Sequence, residues 1–155
     1  MSLVDITEAQ KIISKWRNDQ KIIVFTNGCF DIIHRGHVEY LQEAKLLGDF
    51  LIVGLNSDAS VERIKGKPRP YQDEQDRAAI LDAMKMVDIV VIFDEDTPLE
   101  LICELKPNVL VKGGDYDSQS IVGTKEVEGW GGSVKIIPFI KGYGTSKLVE
   151  KILDR

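Results

Sequence analysis

Five short apolar runs, separated by segments with helical spacing of apolar residues, organise most of this chain. The runs are rich in Val, Ile and Leu and lie at 22–25, 50–55, 89–93, 108–111 and 134–137. They are too continuous for half-exposed strands and are typical of strands covered on both faces. Strands that alternate with helices predict a parallel sheet with right-handed crossovers and helices on both sides.

Helix-start signals lie between and before the apolar runs. Thr7 and Gln10 fit a capping box, which predicts a first helix near 7–18. Pro98 suits the first position of a later helix, with Thr97 as its cap.

Length and composition bound the class of protein. The 155 residues predict one domain over 1–155, in which the first helix precedes a sheet domain over 21–155. A hydrophobic content of 43% and a charged content of 29% fit a globular chain. The net charge of −5 argues against a nucleic-acid partner, although a small anionic ligand needs only local positive charge.

Cysteine usage and hydropathy predict the compartment. Cys29 and Cys103 provide no disulfide framework, which favours a reducing environment. The N-terminus lacks an apolar signal core, and no apolar run approaches the roughly 20 residues that span a bilayer. We predict a cytoplasmic protein with no membrane partner.

The most informative segment covers residues 26–37 and reads Thr-Asn-Gly-Cys-Phe-Asp-Ile-Ile-His-Arg-Gly-His. A glycine turn before a helix N-terminus favours a phosphate, and the imidazoles of His34 and His37 can donate hydrogen bonds to its oxygens. A structural role for either histidine, or a zinc site with Cys29 and Asp31, is the alternative. The glycine turn favours the anion.

Three further polar clusters follow predicted strands. They lie at 56–58 after the second strand, at 112–115 after the fourth and at 142–146 after the fifth. Because ligands of open parallel sheets bind outside the carboxyl ends of the strands, the clusters predict one common site.

The run His34-Arg35-Gly36-His37, preceded by Gly28-Cys29-Phe30-Asp31, resembles the His-x-Gly-His signature of the nucleotidylyltransferase superfamily. Within that superfamily the chain resembles the D-glycero-D-manno-heptose 1-phosphate adenylyltransferases, from about Lys21 to Ile152. Five stretches carry this closer resemblance: 56–58, 65–67, 69–70, 112–116 and 123–127. Many relatives are fused to a sugar kinase, for which this chain has no room, so a stand-alone form is expected.

The resemblance implies a fold and an activity. The fold is a single Rossmann-like three-layer α/β/α domain with a five-stranded parallel sheet in the order 3-2-1-4-5. The activity is transfer of AMP from ATP to D-glycero-D-manno-heptose 1-phosphate, which gives ADP-heptose and pyrophosphate for bacterial surface polysaccharide. Mg²⁺ would arrive with ATP, without a metal site on the protein. Relatives also imply a homo-oligomer, a dimer or larger.

The resemblance further assigns roles to residues of the predicted site. The catalytic group comprises His34, His37, Lys65 and Lys67. The nucleotide would be bound by Thr26, Asn27, Gly28, Cys29, Phe30, Gly36, Asn56, Asp58, Lys112, Gly113, Gly114, Asp115, Thr145 and Ser146. The sugar phosphate would be bound by Asp31, Arg77, Lys125 and Glu126.

Several of these residues have structural alternatives. Asp31 could fix a histidine tautomer instead of binding a sugar hydroxyl. Arg77 could form a surface ion pair with Asp73 or a subunit contact. Thr145 and Ser146 would cap the last helix in any case. The lysines of the 65–67 loop and the charges at 125–126 could be ordinary solvated groups, and the glycines at 113–114 a plain tight turn.

Three rival functions remain open from the sequence. A cytidylyltransferase acting on glycerol 3-phosphate or another alcohol or sugar phosphate would use the same chemistry. A nucleotide sensor without turnover would keep the same residues. A redox dinucleotide fold is disfavoured because no Gly-x-Gly-x-x-Gly turn follows the first strand.

Overall fold

A five-stranded parallel sheet lies between two layers of helices in the computed structural model, which describes residues 3–114 and 117–154. The strands are β1 Ile23–Gly28, β2 Phe50–Asn56, β3 Ile89–Phe93, β4 Val109–Gly113 and β5 Ser133–Ile137. Their order in the sheet is β3-β2-β1-β4-β5, and every neighbouring pair is parallel. The predicted fold class and strand order are therefore confirmed.

Seven α-helices and one short 3₁₀ segment precede, connect or follow these strands within the described ranges. They are α1 Ile6–Asn18, α2 Arg35–Lys45, α3 Asp58–Lys65, α4 Glu74–Asp82, α5 Leu99–Leu105, α6 Thr124–Gly129 and α7 Thr145–Leu153, with the 3₁₀ turn at Ser118–Ser120. None of these helices is long and apolar enough to cross a membrane.

Two buried apolar clusters hold the layers together. On one face α2 and α4 pack Leu41 and Leu81 against β2 through Leu51. On the other face α1 and α5 pack Ile13 and Leu105 against strand residues that include Ile52. Neighbouring residues of β2 thus enter opposite clusters, and each fully buried Leu or Ile contributes about 1.5–3 kcal/mol. Burial on both faces is the physical reason why the strands read as continuous apolar runs.

Two predicted helix starts are wrong by one or two residues. The cap of α1 is Asp5 and not Thr7, because the Asp5 carboxylate accepts a hydrogen bond from the Glu8 N–H at 2.8 Å. Helix α5 begins at Leu99 with Pro98 as its N-cap residue, so Thr97 does not cap it. The ψ angle of 11° at Pro98 keeps that residue outside the helix.

Helix α3 was not predicted, because the segment after β2 reads as a polar loop. Ser57 begins the helix, and its hydroxyl oxygen accepts a hydrogen bond from the Ser60 N–H at 3.0 Å. Val61 is buried, and Gly66, with a φ of 76°, ends the helix in a conformation that favours glycine. Lys65 is therefore the last helical residue and does not belong to a free loop.

Candidate active site

A cleft of about 820 Å³ runs along the carboxyl edge of the sheet, as the placement of the polar clusters predicted. The segments that follow the strands form its walls. Most of the predicted site residues line it, namely Asn27, Gly28, Cys29, Phe30, Asp31, His34, Gly36, His37, Asn56, Lys65, Lys112, Gly113, Thr145 and Ser146. The convergence of these segments supports one common site.

The remaining predicted residues do not line this cleft. Thr26 is fully buried, and its hydroxyl is 2.6 Å from the hydroxyl of Tyr40. Gly114 donates its N–H to the carbonyl of Ile137 at the end of β5. Asp58, Lys67, Arg77, Lys125 and Glu126 also lie outside the lining, and Asp115 lies outside the described residues.

His34 and His37 stack at the beginning of α2, with ring centroids 3.9 Å apart. The His34 N–H donates to Nδ1 of His37 at 3.3 Å, so a neutral His37 carries its proton on Nε2. Burial, and to a lesser degree the neighbouring His34, lowers the pKa of His37 to about 4. At pH 7 the His37 ring is therefore uncharged and acts as a hydrogen-bond donor, not as a cation.

His34 contributes a second imidazole, and one of its ring nitrogens is buried without a hydrogen-bond partner among the described residues. Burial lowers its pKa as well. Its Nδ1 atom is buried, and no partner for this atom exists within residues 3–114 and 117–154. Buried polar atoms without partners are rare in native proteins, so each of them needs an explanation such as a catalytic role.

Gly36 allows the wall of the cleft to approach this histidine pair closely. A Cβ atom at Gly36 would lie 2.9 Å from Cε1 of His34 and 3.0 Å from Cβ of Tyr143. The Tyr143 ring lies 6.2 Å from the His34 ring, and the Arg35 guanidinium lies 5.9 Å from the Tyr143 ring. The segment between β5 and α7 thus closes against the start of α2 only because residue 36 has no side chain.

The turn between β1 and α2 contains two non-glycine residues in the left-handed region, Phe30 with φ of 47° and Ile32 with φ of 50°. Each costs on the order of 1 kcal/mol and persists only where its surroundings impose it. The Ile32 N–H donates to Oε1 of Gln72 at 3.0 Å. The Asp31 carboxylate accepts from the N–H groups of Tyr71 and Gln72 at 2.9 and 3.1 Å. These bonds hold the turn against the segment before α4.

The Asp31 carboxylate does not take the tautomer-fixing role that the sequence left open. Its carboxylate also accepts from Nε of Arg69 at 2.8 Å, and its side chain is fully buried. No hydrogen bond joins it to either histidine within the described part of the chain. Its own carbonyl accepts from the Thr145 hydroxyl at 2.8 Å, which ties α7 to the turn. Thr145 consequently does not cap α7, whose N-cap residue is Gly144.

Arg77 is wholly buried beneath the cleft and pairs with Asp58, and not with Asp73 as in the alternative that the sequence left open. Its Nη1 donates to the carbonyls of Cys29 and Asn56 at 2.7 and 2.8 Å. Nη2 donates to Asp58 and Nε to the Gln72 carbonyl. One guanidinium thus joins the ends of β1 and β2 to the starts of α3 and α4. In this position it reaches neither a sugar phosphate nor a subunit surface.

Positive charge collects around Cys29 at the floor of the cleft. Burial raises the pKa of the Cys29 thiol, while Lys65, Arg77 and Arg69 act in the opposite direction. Burial lowers the pKa of Lys112, and Lys65 adds to that lowering. Neither Lys65 nor Lys112 forms an ion pair with any residue in the described ranges. The cleft is therefore suited to an anion, although the whole chain carries a net charge of −5.

Lys67, Lys125 and Glu126 are not brought to this site. The side chain of Lys67 is 83% exposed and pairs with Glu62 at 3.4 Å. Lys125 and Glu126 lie on α6, where Lys125 is exposed. Across residues 3–114 and 117–154, no three His, Cys, Asp or Glu side chains are grouped so that they could hold a metal ion. The zinc alternative thus lacks a ligand set in the part of the chain that the structure describes.

Several cleft residues received no role in the sequence interpretation, although Arg69 and Tyr143 lie in stretches that it singled out. They include Tyr40, Arg69, Phe139, Tyr143 and Lys147. Tyr143 lies between two glycines after β5, and Arg69 lies between two prolines beside the 65–67 loop. Both positions carry a signal of local backbone constraint that could have marked them.

Comparison with known proteins agrees with this geometry. Residues 25–148 match the family described as cytidylyltransferase-like. The chain is 53% identical over 154 residues to "Bifunctional protein HldE" of Syntrophotalea carbinolica, and 57% identical over 135 residues to the protein of the same name from Pelobacter propionicus. These matches cover 99% and 87% of this chain but only 30% and 28% of the relatives. The chain thus spans less than a third of the length of these relatives.

Solved structures give the same picture. The lipopolysaccharide core biosynthesis protein from Thermoplasma volcanium is 35% identical, with a TM-score of 0.65, over 80% of this chain and 99% of that one. A pantoate-beta-alanine ligase from Francisella tularensis, crystallised with a nucleotide, has a TM-score of 0.61 over 100% of this chain and 80% of its own. At 16% identity the second likeness concerns the fold alone.

Proposed function

The chain belongs to the cytidylyltransferase-like family, and on that premise we propose that it transfers AMP from ATP to D-glycero-D-manno-heptose 1-phosphate. The products are ADP-heptose and pyrophosphate. The observation that carries the proposal is the pair of uncharged imidazoles at the start of α2, in a cleft that also holds Lys65 and Lys112, neither of which has an ion-pair partner among the described residues.

The identity of the acceptor rests on the sequence resemblance to the heptose 1-phosphate adenylyltransferases. Identities of 53–57% with the HldE proteins support it, as does the 35% identity with the lipopolysaccharide core biosynthesis protein of Thermoplasma volcanium. Because the chain covers less than a third of the HldE proteins, the proposal concerns adenylyl transfer and no other activity of those proteins.

The proposed reaction needs no general base. The second pKa of a sugar phosphate is about 6, so the nucleophile is largely a dianion at neutral pH. One of its oxygens attacks the α-phosphorus of ATP and forms the new P–O bond. The bond from that phosphorus to the bridging oxygen breaks in line, and pyrophosphate leaves with the electron pair. Catalysis then consists of positioning and of stabilising negative charge.

The residues at the cleft supply both of these effects. The Nε2–H of His37 and the ring of His34 donate to phosphate oxygens, and Lys65 and Lys112 offset the charge of two anions that must meet. The N-termini of α2 and α7 present backbone N–H groups toward the same region. A neutral imidazole is a much weaker acid than an imidazolium ion and does not give up its N–H proton to the phosphate. Its hydrogen bond therefore stays in place as negative charge develops on the phosphate oxygens.

Mg²⁺ belongs to the proposal as part of the substrate, bound to the triphosphate of ATP. The described residues offer no cluster of metal ligands, so the triphosphate oxygens would supply the coordination. When bound there, the ion neutralises part of the charge on the leaving pyrophosphate. We further expect a homo-oligomer, a dimer or larger, that acts in the cytoplasm, where ATP is available.

A pyrophosphate-release assay tests the proposal with ATP, CTP, UTP and GTP against heptose 1-phosphate and glycerol 3-phosphate. We expect release that requires both ATP and heptose 1-phosphate, with inversion at phosphorus in chirally labelled ATP. Preferential release from CTP with glycerol 3-phosphate would establish the rival cytidylyltransferase. Nucleotide binding without release on any acceptor would identify a sensor.

A further inference from the structure

Arg69 is a cleft residue to which the sequence interpretation gave no role. It lies between α3 and α4, between Pro68 and Pro70, and lines the cleft together with both histidines. Its side chain is only 16% exposed. Its Nε donates to Oδ2 of Asp31 at 2.8 Å. A nearly buried guanidinium in a cleft calls for a physical reason, because isolated buried charge is costly.

Asp31 holds this guanidinium in one orientation. The Asp31 side chain is fully buried and is itself fixed by the N–H groups of Tyr71 and Gln72. The centre of the Tyr71 ring lies 5.0 Å from the guanidinium carbon of Arg69, within the range of a cation–π contact. One edge and one face of the Arg69 guanidinium are thus occupied, and the carboxylate offsets its charge.

The other edge of the guanidinium forms no hydrogen bond with any of the described residues. Arginine has five N–H donors, and only the Nε–H of Arg69 forms a hydrogen bond within residues 3–114 and 117–154. The remaining donors form the planar fork that matches two oxygens of a phosphate. Because Asp31 fixes the guanidinium in advance, little side-chain entropy is lost when an anion binds.

Sheet topology indicates which anion this fork meets. The turn after β1, Lys112 after β4 and the start of α7 after β5 lie on one half of the cleft, and the sequence resemblance assigns residues of all three to the nucleotide. Arg69 belongs to the connection that follows β2, which lies on the other side of β1. A fork on that side is available to the second substrate of the proposed reaction.

We propose that Arg69 binds the phosphate of the sugar 1-phosphate acceptor, with Asp31 as its positioning residue. This assignment rests on the proposed function and names the subsite of the nucleophile. Lys67 is the nearest cation on the same connection, but it is exposed and paired with Glu62. The fixed guanidinium therefore takes the place that the sequence gave to a loop lysine.

Arg69→Lys keeps the charge and removes the fork, and it tests the proposal directly. Arg17→Lys is the matched control, because Arg17 donates to the carbonyls of Leu105 and Lys106, away from the cleft. Pyrophosphate release gives the KM for each substrate at saturation of the other. For Arg69→Lys we expect the KM for the sugar phosphate to rise about 10- to 100-fold, while the KM for ATP changes by less than about threefold.

Asp31→Asn provides a second variant with the same expected selectivity, and thermal unfolding shows whether each variant is folded. A rise in the KM for ATP alone would assign Arg69 to the nucleotide and overturn the proposal. Unchanged KM values with a lowered melting temperature would make the Asp31–Arg69 pair purely structural.

The assay also separates this proposal from the proposed function. If the wild-type chain releases no pyrophosphate with any sugar 1-phosphate, the proposed function fails. Calorimetric titration of heptose 1-phosphate into the wild type and Arg69→Lys then decides the binding site. Binding that is lost in Arg69→Lys and kept in Arg17→Lys supports the Arg69 assignment, and equal binding or no binding overturns it.

Discussion

The backbone N–H of His34 points at Nδ1 of His37 across 3.3 Å, and this single bond determines what His37 can do. It occupies one ring nitrogen as an acceptor and leaves the other as a donor. Burial first, and the neighbouring His34 to a lesser degree, disfavours a charge on this ring and lowers the pKa of His37 to about 4. The tautomer and the low pKa of His37 thus follow from the same surroundings.

The stability of the protein should fall as His37 is forced to take up a proton. The imidazole has a pKa near 6.5 in an unfolded chain and a pKa of about 4 in the native state. Between these pH values the unfolded chain binds more protons, so the free energy of unfolding rises with pH. The contribution of His37 is present above about pH 6.5 and is lost as the pH falls toward 4.

Urea unfolding at about pH 7, 5.5 and 4.5 measures this effect, with His37→Gln as the comparison. The carboxylates titrate in both proteins, so only the difference between them reports His37. We expect the wild type to lose more free energy of unfolding than His37→Gln over this range. Parallel pH dependences would contradict a depressed pKa at His37.

Loss of the His37 donor should reduce turnover. His37→Ala removes the Nε2–H and should lower kcat about 10²-fold or more, the usual scale for one positioned donor. His37→Gln places an amide N–H near the same point and should retain part of the activity. Steady-state pyrophosphate release measures both variants, and near-wild-type turnover of His37→Ala would remove the catalytic role.

Gly36→Ala should open the wall of the cleft. The new Cβ would lie 2.9 Å from the His34 ring and 3.0 Å from Tyr143 Cβ, so one of the two must move. We expect about a tenfold loss of kcat/KM with a smaller loss of thermal stability, because displacement by a few tenths of an ångström disturbs positioning. The control is Gly129→Ala on α6, where a Cβ meets nothing within 4 Å and helix propensity improves. Equal kinetics of the two variants would show that close approach at Gly36 is unimportant.

Arg77→Met should destabilise the fold strongly. It leaves the carbonyls of Cys29 and Asn56 without their donor and removes the partner of Asp58. Buried groups left unpaired cost about 1–3 kcal/mol each, so we expect a total loss of about 2–4 kcal/mol in urea unfolding. Arg63→Met, which removes an exposed arginine paired with Asp94 and Asp96, should cost much less, because ion pairs exposed to solvent add little stability. Similar losses in the two variants would contradict a structural role for the buried network.

Sequence patterns predicted the sheet well because burial on both faces leaves a direct signature. Residues such as Leu51 and Ile52 are neighbours that face opposite cores, and only a continuous apolar run satisfies both. The clustering of polar residues after the strands follows from the parallel arrangement, so the position of the cleft was also predictable. Helix α3 was missed because its eight residues bury few apolar side chains, so the helical spacing is weak.

The roles of charged residues were harder to predict, because they depend on which backbone groups need a partner. Nothing in the sequence shows that the carbonyls of Cys29 and Asn56 converge, so the sequence offered a site role, a subunit contact or a surface ion pair for Arg77 but not a buried structural role. Lys67 and Arg69 are two residues apart and equally charged, yet only Arg69 meets a buried carboxylate. The contact of Arg69 with Asp31 joins residues far apart in the sequence, and no spacing rule predicts it.

Helix α7 differs from the rest of the fold in how it is attached. None of the side chains in Thr145–Leu153 is buried, and Ile152 and Leu153 are 60% and 77% exposed. Its beginning is anchored through the Thr145 hydroxyl to the carbonyl of Asp31. A helix held in this way can detach while the sheet stays folded, so its amides should exchange with solvent through local opening long before those of β1 or β2. One rim of the cleft is thus held less firmly than the sheet beneath it, so the cleft can widen at this rim without disturbing the sheet.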